Sequence, residues 1–148
     1  MGIIKEICEW NEVRDCTKFD GGLEFAMMAE ELDEFAWAFN KTLKDKFGEV
    51  ETEEEYEEIK QDVIDYVESE DGQLDIKTNQ ADALADLAFV AIGSLYKLVG
   101  DSDKVEDIFN AVIAANNTKS KEKNEDGKIT KPSDFVGPEF LIRRIING

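Results

Sequence analysis

With 148 residues, 42% of them apolar, the chain is long enough for one domain with a substantial core. Its 35 acidic residues against 17 basic ones give a net charge of −18, which argues against nonspecific binding to nucleic acid or to an anionic membrane surface. Histidine is absent, and with it go Ser-His-Asp and Cys-His catalysis, histidine general bases and the usual zinc sites.

Cys8 and Cys16 are about two helical turns apart, ~12 Å along an axis, too far for a disulfide within one helix. They read as reduced thiols of a cytoplasmic protein. Charged Lys5, Glu6 and Glu9 arrive too early for a secretory signal. No apolar run approaches the ~20 residues of a membrane span. The expectation is a soluble, cytoplasmic chain with no membrane and no nucleic-acid partner.

Helical periodicity dominates, and proline is absent before Pro132. A first amphipathic helix is predicted from about Ile3 to Thr17, ended by the Asp20-Gly21-Gly22 turn. A long second helix runs from about Leu23 to Phe47, with Gly48 as its stop. The acidic block 49–75 repeats Tyr56, Ile59, Val63, Ile64 and Val67 at helical intervals, which predicts an additional amphipathic helix closed by an Asp71-Gly72 turn. A solvated, mobile insertion is the other reading of that block. The most apolar helix is predicted from about Lys77 to Val99, ended by Gly100, and the next from Asp103 to Asn117, with Asp103 and Glu106 spaced as a capping box. Residues 120–148 read as an irregular tail, since Pro132 and Pro138 interrupt any continuous helix. The class is all-α, a helical bundle of four to five helices in a single domain covering 1–148. The apolar run Phe140 to Ile146 would suit docking on a second copy.

Two acidic clusters carry the chemistry. Glu30, Glu31 and Glu34 lie within the apolar run Ala26 to Phe39, and i, i+3, i+4 spacing lets them converge. Asp82 and Asp86, four apart, do the same ahead of Leu87-Ala88-Phe89-Val90-Ala91-Ile92. In so acidic a chain either pattern arises by chance, and a solvated helix face is the plain alternative. The apolar setting separates these clusters from the 49–75 block, because charge held there is costly without a partner. A hard divalent cation with oxygen ligands is the natural partner, and Mg²⁺ usually brings a phosphate with it.

Those residues, in that order, resemble the MazG-like all-α nucleoside triphosphate pyrophosphohydrolases. The Glu-Glu-x-x-Glu half matches at Glu30, Glu31 and Glu34. In the second half Asp86 matches, while the slot three residues before it holds Ala83 and Asp82 stands in for the partner acid. The segment Asp82-Ala83-Leu84-Ala85-Asp86-Leu87-Ala88-Phe89 is similar to the phosphoribosyl-ATP pyrophosphohydrolase-like branch. So is the stretch from Val105 to Val112 leading into Asn116-Asn117-Thr118-Lys119. Trp10 to Arg14 is weakly similar to the family's first helix. The 49–75 block is the main departure.

The resemblance implies an enzyme, a nucleotide pyrophosphohydrolase that cleaves between the α- and β-phosphates to give a monophosphate and pyrophosphate. It also implies Mg²⁺, with Mn²⁺ as the substitute, and a homodimer or homotetramer. Glu31, Glu34, Asp82 and Asp86 are the candidate metal ligands, and Glu30, Glu31 and Glu34 the candidate catalytic carboxylates. Lys119 would take phosphate oxygens as a point charge. Asn116 could bond sugar, phosphate or base, or simply cap its helix. Asn11, Arg14 and Trp37 are candidate substrate contacts, with surface or packing roles open for each. Three alternatives remain: a true phosphoribosyl-ATP pyrophosphohydrolase, a non-catalytic helical module binding a divalent ion or nucleotide, and an acidic decoy for a basic partner.

Overall fold

A computed structural model describes residues 2–148. The chain is all-α, with seven helices among the described residues: α1 (Ile3–Val13), α2 (Gly21–Ala36), α3 (Ala38–Phe47), α4 (Glu53–Glu68), α5 (Glu70–Val99), α6 (Ser102–Asn117) and α7 (Glu139–Asn147). The count exceeds the expected four to five for two reasons: the predicted second helix is split, and the C-terminal tail contains α7. Contacts divide the chain into two compact units, one of residues 1–19 and 92–148, the other of residues 20–91.

In the first unit α6 packs on α1 and on α7. Cys8, Tyr96 and Val105 form the buried centre, flanked by Ile4, Ile92, Leu95, Val99 and Phe109. Asn11 is also buried, its amide donating to the Ile7 carbonyl at 2.8 Å. Gly93 makes that possible, since a Cβ there would lie 2.9 Å from Asn11 Nδ2. Helix α1 ends at Val13, earlier than predicted, with Arg14 as its C-cap and Asp15 at φ 55°. Helix α6 is capped by Asp101 and not by Asp103: the Asp101 carboxylate accepts from the Asp103 and Lys104 amides. Beyond α6, an isolated bridge pairs Lys123 with Ile129. The tail expected to be irregular then forms α7, which Pro138 enters as N-cap, where a missing N–H costs nothing.

In the second unit Asp20 caps α2 by accepting from the Gly22 and Leu23 amides, so the expected Gly-Gly turn lies inside the helix. Neither proline nor glycine marks the break between α2 and α3; it falls at Trp37 (φ −101°, ψ 9°). The Trp37 N–H still reaches Asp33 O at 2.9 Å, and Lys41 N–H reaches Trp37 O at 2.9 Å, so the ladder bends with few bonds lost. Helix α3 packs against α2 and α4. The acidic block is helical: Thr52 caps α4 through Glu55 N–H at 3.1 Å, and Glu55 reaches back to the Glu51 amide at 2.9 Å. The predicted Asp71-Gly72 turn is absent, because both residues sit in the first turn of α5. Ser69 makes the corner instead, its hydroxyl donating to Tyr66 O at 2.6 Å and accepting from Gly72 N–H at 3.0 Å. Gly72 is required there because a Cβ would overlap the Tyr66 carbonyl. Across the unit, Ala38, Thr42, Ile76 and Ala83 are buried.

Candidate metal centre

Glu31 and Glu34 project from the last two turns of α2, and Asp86 from the part of α5 that belongs to the same unit. One carboxylate oxygen from each lies within 4.8 Å of the others. Glu34 and Asp86 are exposed, whereas Glu31 is half-buried. Its Oε2 is shielded from water and has no hydrogen-bond partner among the described residues. Loss of water pushes the Glu31 carboxyl above the usual carboxylate range, and the charges of Glu34, Asp86, Glu30 and Asp82 push it the same way, in that order.

An orphaned, shielded oxygen beside two further carboxylates would lower its energy by gaining a cation. Three carboxylate donors suit a hard divalent ion such as Mg²⁺ or Mn²⁺, and a trio with no thiolate or imidazole disfavours softer metals. The donor set therefore fits the expected metal. Asp82 is not part of the closest trio, although it and Glu30 are near enough to act on Glu31. Ala83, which occupies the partner-acid slot, is buried and small.

The other candidates lie elsewhere. Trp37 is 63% exposed at the α2–α3 break, so its ring is available to a ligand. Asn11, Arg14, Asn116 and Lys119 belong to the first unit. Asn11 is buried against Gly93, as described. Arg14 donates to Trp10 O at 3.2 Å and stacks over the Trp10 ring, its guanidinium carbon 4.3 Å from the centroid. Asn116 is exposed in the last turn of α6, and its carbonyl accepts from the Lys119 amide at 3.1 Å. The Lys119 ammonium lies 5.7 Å from the Phe135 ring centre.

Sequence reasoning missed a polar chain below the cluster. Asn79 Nδ2 donates to Thr42 Oγ1 at 2.8 Å, and the Thr42 hydroxyl donates to Ala38 O at 2.7 Å. Lys41 Nζ bonds both Asp45 at 3.2 Å and Asn79 Oδ1 at 3.4 Å. One signal for it exists: Thr42 sits on the apolar face of α3, and Asn79 shares the α5 face of Asp82 and Asp86 by 3 and 4 spacing.

Among the described residues no single helix is long and apolar enough to cross a membrane. None of the curated proteins compared with the chain matches it. A family model described as phosphoribosyl-ATP pyrophosphohydrolase matches residues 3–116, which include every residue of the carboxylate cluster.

Proposed function

The chain belongs to the phosphoribosyl-ATP pyrophosphohydrolase family, whose members cleave pyrophosphate from nucleotides, and on that premise we propose a divalent-metal-dependent nucleoside triphosphate pyrophosphohydrolase acting between the α- and β-phosphates. The observation that carries this reading is the Glu31-Glu34-Asp86 trio with its orphaned oxygen. A bound Mg²⁺ or Mn²⁺ would neutralise the polyphosphate and make the α-phosphorus more electrophilic. Glu31, Glu34 and Asp86 would hold it, with Asp82 beside them. Glu30, near Glu31 on the same helix, would orient water and accept its proton as general base. Lys119 would contact phosphate oxygens, and Asn116, Trp37 and Arg14 complete the proposed set of substrate contacts; Asn11, expected among them, is buried with its amide bonded to Ile7 O and serves packing instead.

A second copy is part of the proposal. Along α2, Phe25, Ala29, Leu32 and Ala36 follow the alternating 4,3 spacing of a helix-packing seam. Phe25 is 73% exposed and Leu32 55%. On α5, Ala81, Leu84, Ala85, Ala88 and Ala91 are also exposed. Two such stripes favour a homodimer or homotetramer. The family match runs through both compact units, which supports a single functional domain. Free Cys8 and Cys16 suit the reducing cytoplasm in which we place the protein.

The family's own description favours one competing substrate, phosphoribosyl-ATP itself. Both readings are tested by pyrophosphate release from a panel of NTPs, dNTPs and phosphoribosyl-ATP, with and without Mg²⁺. A Glu34→Gln, Asp86→Asn double variant is run beside the wild type. Expected is metal-dependent release from triphosphates that falls at least ~100-fold in the variant. Turnover of phosphoribosyl-ATP alone would replace the first reading with the second. Release that persists in the variant would remove the carboxylate trio from the mechanism.

A further inference from the structure

Helices α3, α4 and α5 enclose a cleft of about 300 Å³ within the second unit. Its wall includes Thr42 and Asp45 from α3, Tyr66 from α4, and Asp75, Thr78 and Asn79 from α5. Tyr66 belongs to the acidic block 49–75, the main departure from the family pattern in the sequence.

The hydroxyls of the lining have spent their protons. The Thr42 hydroxyl donates to Ala38 O at 2.7 Å, and that of Thr78 to Leu74 O at 2.8 Å. The Tyr66 hydroxyl donates to the Asp75 carboxylate. That bond pushes the phenol up to about 12, so Tyr66 keeps its proton through the neutral range. Each of these oxygens retains lone pairs, and the Asp45 and Asp75 carboxylates only accept, Asp45 already taking one bond from Lys41 Nζ at 3.2 Å through one of its two oxygens. On the donor side stand Lys46, whose ammonium lies 5.3 Å from the Tyr66 ring centre, and the second N–H of Asn79. Phe47 fixes the Tyr66 ring edge-on, centroids 5.6 Å apart and planes at 82°. The result is a cleft with a rigid aromatic side and a surplus of acceptors.

Its position relates it to the carboxylates. Asn79, Asp82 and Asp86 share one face of α5, and Asn79 lies about two turns, ~10 Å, before Asp86. A nucleotide with its phosphates at the Glu31-Glu34-Asp86 cluster has a base that reaches about that far along the helix.

We propose that this cleft receives the nucleoside part of the substrate and that its acceptor-rich lining selects bases bearing an exocyclic amino group, such as cytosine and adenine, over uracil. The inference rests on the proposed nucleotide function and assigns a role to the acidic block: α4 supplies the wall against which the base is read. An amino group donates to Asp45, Asp75 or the hydroxyl lone pairs, whereas a uracil carbonyl in the same place meets carboxylate oxygens and is repelled.

The test is calorimetric titration of the full chain, in Mg²⁺, with cytidine, adenosine and uridine 5′-monophosphates and with inorganic tripolyphosphate, which has no nucleoside. Two variants are compared with the wild type: Asp45→Asn/Asp75→Asn, which turns acceptors into donors, and Thr78→Phe, an exposed position where the ring fills the cleft. Expected is about tenfold tighter binding of the cytidine and adenosine nucleotides than of uridine, the effect of one charge-assisted hydrogen bond. The double variant should bring that ratio near one. Thr78→Phe should weaken all three monophosphates about tenfold or more, and tripolyphosphate should bind all three proteins alike. Equal affinity of the wild type for all three bases, or wild-type affinity in Thr78→Phe, overturns the proposal. Tripolyphosphate binding without monophosphate binding removes the cleft and leaves the phosphate site standing. Cleft-dependent monophosphate binding without tripolyphosphate binding does the reverse.

Discussion

Helix α4 carries eight carboxylates in sixteen residues, every one exposed, whereas the cluster of α2 and α5 gathers only three with one of them half-buried. The second region is nonetheless the one that resembles a metal centre. On α4 each carboxylate turns to water, and repulsion is spread along a solvated face. Between α2 and α5, Glu31 Oε2 is shielded from water and meets no donor, while Glu34 and Asp86 crowd it. Density of charge does not make a site; loss of hydration without a partner does.

The largest expected effect that separates the regions is ligand-linked stability. Mg²⁺ at a hundredfold above its Kd should stabilise the protein by ~2.7 kcal/mol, read as a rise in Tm. Replacing Glu31 with Gln should abolish that rise and raise the Tm of the metal-free protein by about 2–4 °C, because the crowded charge is gone. A metal-linked rise that survives Glu31→Gln would move the ion away from this cluster.

The next effect is on pH. Glu31 has a folded-state pKa above its unfolded value, so the folded protein holds the proton more tightly. Its contribution to stability is therefore fully present below the unfolded carboxylate value and is lost as pH rises through the raised one. Denaturation of the metal-free wild type from mildly acid to neutral pH should show this decline. It should be absent in Glu31→Gln and suppressed by Mg²⁺. A decline of equal size in the variant would place its origin in other groups.

The smallest effect belongs to α4. Neutralising Glu57, Glu58 and Asp62 to their amides should leave metal binding unchanged and shift stability by no more than about 0.5 kcal/mol per site. A large loss of metal affinity there would erase the contrast between the two regions.

Much of this molecule was legible in one dimension. Apolar residues at helical spacing gave the all-α class, since that period places them on one side of a helix and on both sides of a strand. Gly48 and Gly100, both at positive φ, end α3 and follow α5 where they were expected. The break at Trp37 was not legible, because no proline or glycine marks it. Nor was the corner at Ser69, where the Asp71-Gly72 pair suggested a turn and the structure instead uses Gly72 for close approach to the Tyr66 carbonyl. The α7 helix escaped notice because two prolines precede it, and a proline forbids only the helix that would run through it.

The candidate site divides in the same way. Spacing alone placed Glu31 with Glu34 and Asp82 with Asp86, because a helix fixes which residues share its face. Which members of the two pairs meet is set by the approach of α2 to α5. That approach brings Asp86, and not Asp82, into the closest trio. The chain of Thr42, Asn79 and Lys41 likewise joins residues 37 and 38 positions apart. Local sequence therefore determined the helices and the carboxylates each one presents. Only tertiary structure decided which carboxylate lost its water, because hydration depends on what packs over an atom, and that comes from elsewhere in the chain.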